Sequence, residues 1–572
     1  MAKFDMVVRG GTVIDGTGTP GRRQDLGIRD GKVAEIGTAL GPGKRAIDAD
    51  GLLVTPGFVD IHTHFDGQVT WDTCLSPSCW HGVTTAVFGN CGVGFAPVKP
   101  DRHEWLVGLM EGVEDIPGTA LHEGITWQWE SFPEYLEHLA SLDRAVDFAA
   151  QVPYAAVRAY VMEERAIEGA ATLEDIQQMR LLIGEGISAG AVGLSMNRTL
   201  AHRAIDGSMV PGTNAEHDEI VGVASVLGEL GKGVLELAPA GVTGDDLNAP
   251  AREVAWMRRV AAETGRPVTY VLVQHDAAPD AWRTILDHAS EARAQGVALY
   301  PQIHGRSPMM LMGIGSKLDP LQYCPSYAAL EPLTIQARAE RIAADADLFN
   351  KLVDELTAAR GRWLFPPYTL EKLFPLGAAA PQYEPRQDQS VAAQARARDC
   401  APEVVIVETL IANRGRGLLN IPILNYSAFN HDPVLEMLEH PTTVLGLADG
   451  GAHCNAICDG GITTHMLTHW ARDREGAKLP VETLVKKMTQ DTAAVYGFHD
   501  RGVLAEGMRA DVNLIDFDNL AQLTPRLVND LPGGAPRFIQ ESQGYVATLC
   551  AGEVTFENGE HTGARPGRLI RR

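Results

Sequence analysis

The sequence predicts an α/β protein: a (β/α)8 barrel of TIM type joined to a β-sandwich built from both chain termini. Short apolar runs recur eight times through the middle, helical patterns lie between several of them, and both ends alternate in a β style. At the N-terminus FDMVVR (4–9) reads as a strand before the turn-rich GGTVIDGTGTPG. LGIRDGKVAEI (26–36) reads as a hairpin turning at Asp-Gly. DVNLIDF (511–517) and GYVATLCAGEVT with Phe556 repeat that style near the other end. The two β-rich ends are therefore expected to form one domain, residues 1–54 with 500–572, around a barrel of residues 55–499.

The barrel series opens with LLVTPGFVDIHTH, a continuous apolar run of the kind a strand buried on both faces needs. VTTAVFGNCG (83–92), VDFAAQV (146–152), AGAVGLS (189–195) and GVLELAP (233–239) follow. PVTYVLVQ (267–274), GVALYPQI (296–303) and TTVLGLAD (442–449) complete the eight. Helical periodicity covers Leu173 to Glu185, Asn214 to Leu230 and Ala251 to Glu263. Between the seventh and eighth strands lie about 135 residues, 305–440, which must carry their own structure or act as a lid. Their Met-rich start, RSPMMLMGIGSKLDP, reads as core filler rather than substrate contact.

With 572 residues, 49 basic and 73 acidic side chains, the net charge is -24. Nucleic acid and anionic membranes want a basic surface, so neither is expected as a partner. No secretory signal and no run near the roughly 18 apolar residues of a membrane span are evident. Eight scattered cysteines read as thiols or ligands, and a cytoplasmic location is expected. A small-molecule substrate is the expected partner, and a homo-oligomer stays open.

His62-Thr63-His64 closes the first strand. Residues two apart point to the same face, so both imidazoles project at the C-terminal mouth where barrel sites form. Two imidazoles on one face supply half of a zinc site. Asp449 ends VLGLAD at the tip of the eighth strand, where a carboxylate binds metal or takes a proton from activated water; an Asx-turn is its plainer reading. His453, four residues on, is equally a substrate contact or a loop histidine. Cys91, in FGNCG past the second strand, places a thiol beside the histidine pair.

These motifs resemble the amidohydrolase superfamily. VVRGGTVIDGTG, PGFVDIHTH, TTAVFGNCG, GLADGGAH and TAAVYGFHDRGVLAEGMRADVNLID carry the likeness nearly end to end, weakest in 305–440. Within it the chain resembles the N-acyl-D-amino-acid deacylase, or D-aminoacylase, branch. The resemblance implies a metal-dependent barrel plus β-sandwich that hydrolyses amide or related bonds. It maps His62 and His64 onto the strand-one ligands, Cys91 onto the metal cysteine and Asp449 onto both a ligand and the general base. The family's histidines after strands five and six are missing: Glu236 stands at the first position and Leu272 at the second. Glu236 is kept as a metal candidate. His275, three residues beyond Leu272, faces the metal only if a bulge reverses the alternation. Lys232 precedes strand five rather than tipping it, so no carboxylated lysine is expected. One tightly bound Zn²⁺ is the expectation, with a second ion allowed. It would activate a water molecule for attack on the substrate carbonyl.

Asn425 and Tyr426 are candidate substrate contacts, and Arg198, Arg306 and Arg414 are unranked candidates for a substrate carboxylate. Two other readings stand beside the deacylase: a cyclic-amide (lactam or imide) or lactone hydrolase on the same fold, and a non-catalytic scaffold that kept it.

Overall fold

The computed structural model describes residues 2–572 apart from 365, 378 and 379. Its middle is a series of parallel strands in two arcs. Phe58–Asp60, Val83–Phe88 and Asp147–Ala150 pair in that order. Val152–Pro153, Gly193–Asn197, Val234–Ala238, Val268–Val271, Leu299–Ile303 and Val444–Leu445 form the second arc, also parallel throughout. Along the chain only Gln151 separates the arcs at one side. At the other side a parallel bridge joins Thr63 to Gly450. The strands are buried on both faces, as their unbroken apolar sequences require.

Helices lie between successive strands, among them Leu173–Ala189, His217–Leu230, Ala249–Thr264 and Ala281–Ala294. Leu173–Ala189 shows why such segments start and stop where they do. Thr172 and Asp175 form a reciprocal capping box at its start, and Gly190, at φ 115°, takes the left-handed turn that ends it.

Both chain ends meet in one nine-stranded sheet. In it Leu53–Pro56 lies between the N-terminal strand Phe4–Val13 and the C-terminal strand Val512–Ile515, with Tyr545–Cys550 next in line. The apolar run that reads as one strand in sequence thus divides at Gly57, giving Leu53–Pro56 to the terminal sheet and Phe58–Asp60 to the barrel series. Gly57 is needed there, because a Cβ would fall 2.1 Å from Thr84 Oγ1.

The segment 305–440 has its own hydrophobic core, which includes Ile314, Leu352, Leu356, Ile406, Leu410 and Leu419. Within it Met309–Met312, Leu419–Pro422 and Phe374–Pro375 form a small antiparallel sheet. Met309 and Met312 are buried, as the core-filler reading expects. No helix of the described residues is long and apolar enough to cross a membrane, and all eight cysteines are free thiols.

One buried ionic knot fastens the C-terminal segment to the strand series. Asp147, at the start of its strand, accepts from Arg501 Nη1 at 2.6 Å, Arg509 Nη2 at 2.8 Å and the Arg568 backbone N–H at 2.8 Å. Arg501 is only 5% exposed, and although Asp500 also pairs with it at 3.0 Å, removing Asp147 takes away the buried carboxylate that both Arg501 and Arg509 share. Asp147→Ala is expected to destabilise the protein by about 1.5–3 kcal/mol, less than the full cost of an uncompensated buried charge because Asp500 and Asp511 still pair with the two arginines, read from chemical unfolding. A wild-type unfolding midpoint in this variant would show that the knot does not anchor the two parts.

Candidate active site

Two turns bring the candidate residues together. The first follows the strand Val83–Phe88. Gly89 and Gly92 have φ of 80° and 73°, and Cys91 itself sits at 54°. At Gly92 a Cβ would meet Asn197 N at 2.6 Å, so GNCG packs tightly against the neighbouring strand. Asn90 Nδ2 donates to the carbonyls of Thr63 and Val87, tying this turn to the histidine pair. The second turn follows Val444–Leu445, where Leu447 and Asp449 adopt φ of 61° and 48°. Asp449 N donates to His62 O at 3.1 Å and His64 N donates to Gly450 O at 2.8 Å. The eighth strand is thus shorter than its sequence pattern implies, and Asp449 is placed by a left-handed turn rather than by strand alternation.

The result is a compact group. Ligand atoms of His62, His64 and Cys91, all buried, lie within 4.8 Å of one another. Cys91 Sγ is 3.5 Å from His62 Nε2. Asp449 Oδ1 is 3.5 Å from His62 Nε2 and 3.7 Å from His64 Nε2. Asp449 is the accessible carboxylate of the group, with its side chain a quarter exposed.

Gln302, on the strand Leu299–Ile303, fixes the chemistry of His62. Its Oε1 stands 2.9 Å from His62 Nδ1. An amide oxygen only accepts, so Nδ1 carries the proton and the Nε2 lone pair faces Cys91 and Asp449. Glu236 sits on the other side of that ring, its Oε1 3.7 Å from Nδ1, while its Oε2 accepts the Cys91 N–H at 2.9 Å. The carboxylate that takes the place of the family's strand-five histidine therefore supports the Cys91 turn from behind His62.

Acidic groups crowd this pair. Burial pushes the carboxyls of Asp60 and Asp66 up to about 7 and Glu236 up to about 8. Glu114, buried at the end of the helix His103–Glu114, is also raised by burial. Its Oε1 lies 3.4 Å from His64 Nδ1. Burial, with smaller contributions from His64 and His304, holds His62 down to about 4. For His64, burial is outweighed by Glu114 and Asp449, which raise it to about 9. Burial also opposes ionisation of Asp449, yet the two imidazoles outweigh it and keep the carboxyl well below its ordinary range. Asp60 Oδ2, His64 Nδ1, Glu114 Oε1 and Glu236 Oε1 are all buried without a hydrogen-bond partner. Among the described residues these carboxyls have no lysine or arginine partner, only histidines. A nitrogen, nitrogen and sulfur donor set inside surplus negative charge fits a divalent cation of zinc type.

Several other sequence candidates lie elsewhere or are already engaged. Asn425 is fully buried, with Oδ1 accepting from Gln274 N at 2.7 Å, and Tyr426 donates to Pro385 O at 2.6 Å. Their polar groups hold the chain in place. His275 accepts from Ala278 N, and Leu272 is packed in a hydrophobic cluster; neither joins the histidine pair. Arg198 pairs with buried Glu253 at 3.0 Å. Arg414 is exposed on the insertion. Arg306 is buried against Asp459 at 2.5 Å and Tyr383, with Nε and Nη1 unpartnered. His453 faces Glu114, its Nε2 3.8 Å from Oε2.

Sequence reasoning missed Glu114, Gln302 and His202. His202 carries a neutral imidazole driven down to about 3 by burial and then by the neighbouring His453 and His64. Gln302 was within reach, because it lies one residue before the end of a barrel strand; Glu114 and His202 carry no local signal.

The amidohydrolase family model matches residues 45–556. The D-aminoacylase of Alcaligenes xylosoxydans xylosoxydans is 28% identical over all of this chain and 98% of its own length. The N-acyl-D-glutamate deacylase of the same organism is 28% identical over all of this chain and 97% of its own. A D-hydantoinase of Ralstonia pickettii is 48% identical, but over 89 residues covering 16% of this chain and 18% of its own. A crystal structure of D-aminoacylase superposes with a TM-score of 0.66 at 23% identity, covering both chains fully. The N-acyl-D-glutamate deacylase of Bordetella bronchiseptica, complexed with zinc and a phosphonate inhibitor, superposes at 0.64 with 24% identity and equal coverage. The chain belongs to the amidohydrolase family, in its D-aminoacylase-like branch.

Proposed function

We propose that this protein is a metal-dependent hydrolase that cleaves the amide bond of an N-acyl-D-amino acid or a similar small N-acyl compound. The observation that carries the reading is the grouping of His62, His64 and Cys91 with Asp449 as the accessible carboxylate. End-to-end likeness to N-acyl-D-amino-acid deacylases supports the substrate class. The cyclic-amide reading starts from the altered strands five and six, and sequence likeness to a D-hydantoinase is confined to 16% of the chain. In the same proposal the two parallel arcs close as one (β/α)8 barrel over residues 57–499, two residues later than the sequence pattern implies because Leu53–Pro56 joins the terminal sheet, with 305–440 as insertion or lid. Residues 1–56 and 500–572 make the companion β-sandwich, and the enzyme works in the cytoplasm.

His62 through Nε2, His64, Cys91 and Asp449 would hold the ion, one Zn²⁺ per site, while Glu236 stands behind His62. When bound, such an ion lowers the pKa of a water toward about 7 and draws charge from the substrate carbonyl oxygen. Asp449 performs the proton transfers. It lies between both imidazoles on the open side, takes the proton of the attacking water and delivers it to the departing amine nitrogen. Glu114 and Gln302 orient the two imidazoles, and Glu236 fixes Cys91 through its backbone N–H.

Asp449→Ala is expected to lower kcat by about 10²–10⁴, and His62→Asn to lose metal and activity together. Turnover of N-acetyl-D-amino acids against lactams, imides and lactones checks the substrate class. Faster turnover of the cyclic substrates would replace it, and metal-free protein at full activity would refute the mechanism. Gln302→Met removes the acceptor for His62 Nδ1–H and is expected to weaken metal binding about 10–100-fold in chelator competition. An unchanged affinity would remove Gln302 from that role.

A further inference from the structure

A second group of imidazoles lies outside the site described above. Ligand atoms of His431, His465 and His469 stand within 4.8 Å of one another. His465 and His469, four residues apart on the helix continuing from Ile462–His465 into Met466–Asp473, stack with ring centroids 4.6 Å apart. Glu384, from the insertion, places Oε2 2.9 Å from His469 Nε2. His465 Nε2 is buried without a hydrogen-bond partner. The buried His465 nitrogen has no partner, and the His469 ring stacked on it turns its own nitrogen to a carboxylate, an arrangement that suits a cation between the two rings. The group opens on a cleft lined by Tyr383, Glu384, Arg386, His465, His469 and Arg474.

The third imidazole has a different task. His431 Nε2 accepts the Ser307 N–H at 3.1 Å. A neutral imidazole with that nitrogen as acceptor carries its proton on Nδ1, so Nδ1 has no lone pair to offer an ion. That N–H lies 3.9 Å from Glu384 Oε2. Glu384 is further held by the His431 backbone N–H at 2.7 Å and by Arg474 Nη2 at 3.0 Å, both on Oε1, and by Arg474 Nε at 3.0 Å on Oε2. Outer partners that fix a carboxylate in this way are what metal ligands require.

We propose that His465 Nε2, His469 Nε2 and a Glu384 oxygen form a second metal site, for a divalent first-row cation such as Zn²⁺, with His431 and Arg474 positioning Glu384. Two imidazoles at i, i+4 with one carboxylate suit zinc, and the cleft leaves a fourth position to solvent. The site pins the insertion, through Glu384, to the helix that follows the eighth strand. It shares no ligand with the Cys91 centre.

The test uses full-length protein stripped with chelator and reconstituted with Zn²⁺ or Co²⁺ alone. His469→Gln and Glu384→Gln are each expected to bind one metal equivalent fewer than wild type. In the cobalt form both should keep the thiolate-to-cobalt charge-transfer band of Cys91, which only the other centre can produce. His62→Asn should lose its own equivalent and keep this one. Anomalous diffraction from zinc-loaded wild-type crystals should give a peak between His465 and His469, a readout that does not depend on any variant folding. Equal metal content in wild type and both variants, or no peak between those rings, overturns the proposal.

Discussion

The site depends on how the first strand of the series meets the last. Two backbone hydrogen bonds, Asp449 N to His62 O and His64 N to Gly450 O, draw the histidine pair and the carboxylate to one point. Neither contact involves a side chain, so the chemistry is held by the same bonds that join the strands. The left-handed backbone at Asp449 and Cys91 follows from this demand. Non-glycine residues adopt that conformation only when their surroundings dictate it, and such positions gather at functional sites.

Charge balance explains much of the rest. Five carboxyl groups surround two imidazoles and a thiol, and several of their oxygens lack partners. An isolated buried carboxylate is strongly unfavourable, so these groups either stay protonated or require a cation. A divalent ion resolves the conflict by compensating the acids and neutralising the charge that His64 otherwise carries. Burial raises Glu236 and Glu114, while the carboxylates of Glu114 and Asp449 hold a proton on His64; a cation relieves both conditions.

Much of this was legible in the sequence because the residues sit where chain patterns announce them. His62 and His64 end an apolar strand, Cys91 lies between glycines that mark a sharp turn, and Asp449 precedes Gly-Gly. Glu236 was legible as the residue standing at the family's strand-five histidine position, but its place behind the His62 ring was not, since that depends on how the strands pack. Glu114 is one acid among many until the fold carries its helix end to His64. The divided run at Gly57 was hidden because both halves are apolar, and only their partners differ. Asn425 and Tyr426 drew attention as polar residues in a loop, yet burial turned their polar atoms inward to backbone groups.

The interleaving of the two chain ends has a consequence during synthesis. The strand Leu53–Pro56 finishes its pairing with Val512–Ile515, which the ribosome makes some 456 residues later. At 5–20 residues per second, the outer rim of the early strands stays open for roughly 20–90 s. An unpaired rim of that kind invites strangers to pair with it. The nascent chain therefore passes through a prolonged exposed stage that ends only when its final tenth emerges.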